Sequence, residues 1–284
     1  MSNPFSSLVS TAWLAEHLGE PDLVVLDASR HLPAAGRDPL SEYTASHIPG
    51  ALFLDLASLT DQTSLVPTAL PNAAQLADRL ATLGIGPTTR IIIYDDSDVK
   101  TSARAWFALR AHGVDSVAIL DGGIAKWRTE GLPLESGVTE AVPTAPMQLE
   151  EAKGVRSKTD MLANIDSMAE QVLDARSADR VFGSGIDPVH GGQNGRIPGA
   201  LNLPFGQVFN PDGTFKSPAD LRAAFEGAGI DLSRPIVTSC GSGVTASVLL
   251  FALHLIGVDE AALYDGSWQE WEADPSTPKA QGPA

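Results

Sequence analysis

The chain has a single cysteine, Cys240, in 284 residues. That scarcity excludes an internal disulfide. With no Cys/His cluster at structural-zinc spacing, it leaves reactivity or plain burial as the uses of the thiol. Positive charge is also short: 19 Lys and Arg stand against 35 Asp and Glu, a formal charge of −16. Such a surface repels a phosphate backbone, so no nucleic-acid partner is expected. No stretch approaches 18 consecutive apolar residues, and the start "MSNPFSSLVSTAWLAEHLGE" lacks the basic region and apolar run of a signal peptide. The expectation is a cytoplasmic protein with no membrane contact.

What is present points to a folded protein of two domains. Hydrophobic residues make up 43% and charged residues 19%, a globular balance, and the length exceeds one ordinary core. The chain also repeats itself. "LVVLDASR" (23–30) returns as "EQVLDARS" (170–177), "SHIPGALFLDL" (46–56) as "GRIPGALNLPF" (195–205), and "AILDGGIAKW" (118–127) as "ALYDGSWQEW" (262–271). The order is the same and the offsets agree, as Asp174 against Asp27, Pro198 against Pro49 and Asp265 against Asp121 show. This is a duplicated domain rather than a solenoid of short repeats.

Each half reads in one coarse order. A short apolar strand (Val24 to Asp27; Val172 to Asp174) leads through the "IPGA" turn to an amphipathic helix (72–84; 217–229) with Asn72 or Ser217 as N-cap. A β-branched strand follows (90–95; 235–240), then a second helix (from 101; from 244). Alternating strands and helices predict an α/β fold, each half a parallel sheet flanked by helices. The boundaries are expected at 1–137 and 158–284, with 138–157, rich in Pro, Ser and Gly, as the linker.

Cys240 closes the apolar strand "PIVTS" and opens "CGSGVTA". Consecutive main-chain N–H groups of Gly241, Ser242, Gly243, Val244 and Thr245 can there converge into a nest, reinforced by the positive end of the following helix. Such a field favours thiolate over thiol and any anion carried on the sulfur. Residues 241–246 also fit G-x-G-x-x-A, but too little chain follows Ala246 for the further βαβ units of a dinucleotide fold. A P-loop needs Gly-Lys-Ser/Thr where Gly243-Val244-Thr245 stands. A C-x5-R phosphatase or arsenate-reductase loop needs Arg where Ala246 stands. A nucleophile with an amide cradle and no charged clamp of its own suits a small group such as a sulfur atom.

These motifs, with "IPGA" and "DG(G/S)xxxW" in both halves, resemble the tandem rhodanese-domain sulfurtransferases, and the "CGSGVT" loop is similar to their 3-mercaptopyruvate form rather than the thiosulfate form "CRKGVT". The resemblance implies a Cys240 persulfide, a small anionic sulfur donor, an acceptor that is cyanide or a thiol (a small thiol or a thioredoxin-like protein), and no metal or organic cofactor. It implies that Arg180 holds the donor carboxylate. Where the family has a second arginine the chain has His190, and Arg196, in place of the histidine before "IPGA", is an alternative source of that charge. Ser242, His47 and Asp38 match a serine-histidine-aspartate relay, although His47 reads equally as a turn histidine capping carbonyls. Trp268 is either a pocket wall or core packing, and His254 a core residue. Asp95 aligns with Cys240, so the first half should be catalytically silent. Thiosulfate as main donor, and a sulfur-binding module without turnover, are the competing readings.

Overall fold

The computed structural model describes residues 6–282, which form two units. The first takes in residues up to Asp61, Leu70–Lys153 and Pro211–Phe215; the second takes in Gln62–Ala69, Gly154–Asn210 and the chain from Lys216 onward.

The first unit is a five-stranded sheet of β1 (Leu8–Val9), β2 (Leu23–Asp27), β3 (Leu52–Phe53), β4 (Arg90–Tyr94) and β5 (Val117–Leu120) in the order β1-β5-β4-β2-β3. Its helices are α1 (Thr11–His17), α2 (Pro39–Ala45), α3 (Ala73–Thr82), α4 (Ser102–Ala111) and α5 (Gly123–Thr129). The second unit repeats the plan with β6 (Val155–Arg156), β7 (Gln171–Asp174), β8 (Leu201–Asn202), β9 (Ile236–Ser239) and β10 (Ala262–Tyr264) in the order β6-β10-β9-β7-β8. Its helices are α6 (Lys158–Ser167), α7 (Ala178–Phe182), α8 (Pro218–Gly227), α9 (Val244–Leu255) and α10 (Ser267–Ala273). Every strand pair is parallel.

Local chemistry sets these elements. Asn72 and Gln75 form a reciprocal capping box that starts α3, and Ser217 accepts from the Asp220 N–H to start α8; each such cap stabilises its helix by ~1 kcal/mol. The central strands β4 and β9 are almost wholly buried, as β-branched runs in a parallel sheet must be. Helix α9 is apolar all round, and residues Ala246 to Leu253 are buried, as befits a helix enclosed by its own unit. Val155–Arg156, expected in the connection, is instead an edge strand paired with β10. Among the described residues no helix is long and apolar enough to cross a membrane.

The sheet order places the switch point between β2 and β4, and between β7 and β9, where successive connections leave in opposite directions. Crevices at the carboxyl ends of such strands are the usual ligand sites of open parallel sheets. Asp95 and Cys240 are each the first residue beyond their strand there. The register makes them equivalent: Asp27 pairs with Tyr94 as Asp174 pairs with Ser239.

Candidate functional site

The Cys240 loop is fastened from below by the start of α10. The Cys240 carbonyl accepts from the Trp268 N–H and the Gly241 carbonyl from the Gln269 N–H, both at 2.9 Å. The N–H groups of Cys240 and Gly243 both donate to Ser267 Oγ at 3.1 Å, and that hydroxyl donates to the Tyr264 carbonyl at 2.9 Å. Ser267 is fully buried and sits at φ +51°, a left-handed conformation that costs a side-chain-bearing residue about 1–2 kcal/mol. The equivalent position in the first unit is Gly123, at φ +58°. A serine has thus replaced the easier glycine where its hydroxyl ties two loop amides together.

Gly243, at φ +77°, turns the chain into α9. Its N–H is committed to Ser267, so Gly243 acts as a hinge rather than as an anion donor, a correction to the five-amide cradle. The amides left for a ligand are those of Gly241, Ser242, Val244 and Thr245, and the last two open a 12-residue helix whose first N–H groups have no acceptor within it. Cys240 is 2% exposed, whereas Ser242, Val244 and Thr245 are partly exposed. The Ser242 carbonyl accepts from the Thr68 hydroxyl at 2.8 Å, which holds the loop from above.

Beside this loop lies a charge-balanced cluster. Arg180 forms a two-point ion pair with Asp187, Nε to Oδ1 at 3.1 Å and Nη2 to Oδ2 at 2.8 Å. Asp187 is buried and also accepts from the N–H groups of Val189 and His190 at 2.8 and 3.4 Å. Burial pushes its carboxyl up, but the Arg180 hydrogen bonds, those amides and the Arg180 charge together hold it below the ordinary value. Arg176, fully buried, pairs with Asp174 at 2.7 Å, donates to the Gly195 carbonyl at 2.6 Å and lies over the Trp268 ring at 4.8 Å. Its Nη1 makes no hydrogen bond and is 3.7 Å from Asp187. His190 and Arg180 both reach the cysteine loop: a Cβ on Gly241 would lie 2.1 Å from His190 Nε2 and 3.3 Å from Arg180 Nη2. A residue larger than glycine at 241 would have to push that imidazole aside. Burial first, then the Arg180 and Arg176 charges against the opposing Asp187, hold His190 below its ordinary value and so neutral at pH 7.

The remaining expected residues are placed elsewhere. Asp38 is the N-cap of α2 and accepts from the Ser41 N–H at 2.6 Å. His47 is fully buried, stacked on Tyr43, with Nδ1 at 2.8 Å from the Tyr43 carbonyl and Nε2 at 3.3 Å from the Thr139 hydroxyl. Within its own unit it is thus bonded as a turn histidine, with both ring nitrogens engaged, and Asp38 is engaged as the cap of its own helix. Arg196 bonds the Gly282 carbonyl, lies over the Phe182 ring and exchanges main-chain hydrogen bonds with Ala280. It fastens the end of the described chain rather than adding charge to the site. Trp268 is 2% exposed in the core, its indole N–H on the Gln193 carbonyl at 2.8 Å, so it packs and positions rather than walls a pocket. His254, only partly buried, is bonded to Asp259.

Two residues that matter here, Arg176 and Ser267, belong to no motif that the sequence reading singles out as part of the site. The signal for Ser267 was its alignment with Gly123 in "DGG" against "DGS".

The first unit shows the same loop closed. The Asp95 carboxylate accepts from the Ser97 N–H at 2.8 Å and the Ser102 N–H at 2.9 Å. Asp96, aligned with Gly241, is held by Arg37 at 3.0 Å and Arg128 at 2.8 Å. A buried carboxylate thus occupies the loop from inside. Asp95→Ala is expected to leave both amides unpaired and to cost about 1–3 kcal/mol, read from the urea midpoint; an unchanged midpoint would contradict this role.

A family model for the rhodanese-like domain matches residues 10–130 and 157–274. The 3-mercaptopyruvate sulfurtransferase of Mus musculus is 40% identical over 273 residues, covering 94% of this chain and 92% of its own length. The thiosulfate sulfurtransferase of Cricetulus griseus is 36% identical over 287 residues, covering 98% and 96%. Among solved structures, the 3-mercaptopyruvate sulfotransferase SseA from Escherichia coli superposes with a TM-score of 0.81 at 37% identity, covering 93% of this chain and 99% of that one. With two matched copies of the domain, each on its own five-stranded parallel sheet, the chain belongs to the rhodanese family.

Proposed function

We propose that the protein is a sulfurtransferase that takes a sulfur atom from 3-mercaptopyruvate, holds it as a persulfide on Cys240 and passes it to an acceptor thiol, small or thioredoxin-like, or to cyanide. A reducing, cytoplasmic setting suits a lone thiol that must stay available. The thiolate attacks the donor sulfur; the free amides of Gly241, Ser242, Val244 and Thr245 receive the resulting negative charge; Arg180 offers its remaining N–H groups to the donor carboxylate.

The observation that carries the choice of donor is the charge balance beside the loop. Arg176 and Arg180 are matched by Asp174 and Asp187, His190 is neutral, and Gly241-Ser242-Gly243 carries no charge. A site without net positive charge favours a donor with one negative charge over doubly charged thiosulfate. The similarity to relatives named for 3-mercaptopyruvate supports the same choice.

Incubation with 3-mercaptopyruvate is expected to add the mass of one sulfur atom to the peptide containing Cys240. The ratio of kcat/KM for the two donors tests the preference. An advantage of about tenfold or more for 3-mercaptopyruvate is expected, equivalent to ~1.4 kcal/mol of discrimination. A preference for thiosulfate would overturn the donor, and no sulfur gain from either donor would overturn the activity.

A further inference from the structure

Five of the six histidines have a ring nitrogen occupied: His17 on the Trp13 carbonyl, His31 on Glu42, His47 on the Tyr43 carbonyl, His112 on the Ala108 carbonyl and His254 on Asp259. The sixth, His190, forms no hydrogen bond through its ring among the described residues; only its main-chain N–H is used, on Asp187. It is also the one whose ring rests on the cysteine loop, with Nε2 2.1 Å from where a Cβ on Gly241 would be, one residue beyond the nucleophile. The charged groups around it are Arg180, Asp187 and Arg176. Together they leave the imidazole neutral near pH 7, able both to take up a proton and to give one back.

We infer that His190 carries the proton that must be relocated when sulfur leaves 3-mercaptopyruvate. The inference rests on the donor proposed above. Attack of the Cys240 thiolate on the donor thiol forms the S–S bond as the C–S bond breaks, and the bonding pair departs on carbon as the enolate of pyruvate. The transferred sulfur is oxidised to the sulfane level and the carbon is reduced by the same two electrons, so no outside oxidant or reductant enters. The persulfide is formed as Cys–S–S–H, and the enolate carbon requires one proton. Neutral His190 accepts the persulfide proton and delivers it to that carbon, which yields pyruvate, a persulfide anion on the amide cradle and an imidazole returned to its starting state. Within the unit that carries Cys240, His190 is the imidazole that rests on the nucleophile's loop. Arginine, always protonated, can hold a carboxylate but cannot accept this proton.

The test is single-turnover pyruvate release across the neutral pH range in wild type, His190→Gln and His190→Arg, with thiosulfate as second donor. Sulfite leaves thiosulfate as a stable anion and needs no proton on carbon. Both variants are expected to slow pyruvate release by about 10²-fold and to lose the pH limb set by the imidazole, while transfer from thiosulfate is not slowed: it stays close to wild type in His190→Gln and rises in His190→Arg, which adds positive charge at the loop. His190→Gln with the wild-type rate and pH profile would overturn the inference and leave the donor assignment standing. Equal losses with both donors would mark His190 as structural and overturn it as well. A wild-type protein that takes no sulfur from 3-mercaptopyruvate would overturn the donor assignment and this inference together.

Discussion

Cys240→Ser is expected to abolish sulfur transfer, with no mass gain from either donor and turnover to cyanide reduced by at least about 10³-fold. The substitution removes one atom's chemistry and little else. A serine hydroxyl stays protonated near neutral pH, is a far weaker nucleophile than a thiolate and cannot form a persulfide. The main-chain bonds from Cys240 to Ser267 and Trp268 do not involve the side chain, so the fold and the loop should persist and the melting temperature should hardly move. No other thiol in the chain can substitute. Sulfur uptake by the variant would remove Cys240 from the mechanism.

Asp187→Asn is expected to have the largest effect on stability. Its buried carboxylate receives two hydrogen bonds from Arg180 and two from main-chain N–H groups, with Arg176 at 3.7 Å. Removing one partner of a buried pair strands the other charge, a loss of roughly 3–5 kcal/mol, which corresponds to a fall in Tm on the order of 10 °C for units of this size. The pH dependence follows from the lowered carboxyl. Its stabilisation is fully present above the ordinary value of 3.8 and is lost as pH falls through the lower value of the folded state. The wild type should therefore lose stability in acid to a degree that Asp187→Asn does not. The variant also uncovers positive charge at the loop, so kcat/KM for thiosulfate should rise relative to 3-mercaptopyruvate. An unchanged Tm with an unchanged donor ratio would show that this cluster sets neither.

Much of this fold is legible in the sequence, for local reasons. Asn72 and Ser217 announced helices because a cap is a short-range bond, and the β-branched runs leading to Asp95 and Cys240 announced central strands because both faces must be apolar. The two-residue edge strands, Leu8–Val9 and Val155–Arg156 among them, carry no periodicity to read, and the second was hidden in what looked like a connection. The site was legible where one segment builds it, as in the loop from Cys240 to Thr245. It was illegible where distant segments converge: Ser267 reaches the Cys240 and Gly243 amides across 27 and 24 residues. Arg176 lies in a segment, "EQVLDARS", whose pattern marks a strand and says nothing of where the guanidinium goes. Asp38 and His47 matched a pattern, but the first is taken up by a helix end and the second by a turn.

The buried carboxylate of the first loop has a consequence for the second. Asp95 gives one copy of the structure a resident carboxylate that never leaves, whereas the anion of the copy ending in Cys240 changes at every turnover, thiolate before loading and persulfide after. The persulfide stays bonded to the cysteine in the unfolded chain, but only the native loop offers its charge main-chain donors, so loading and durability are linked through that contact. One copy is thus built around a fixed charge and the other around a charge that is renewed with each delivery.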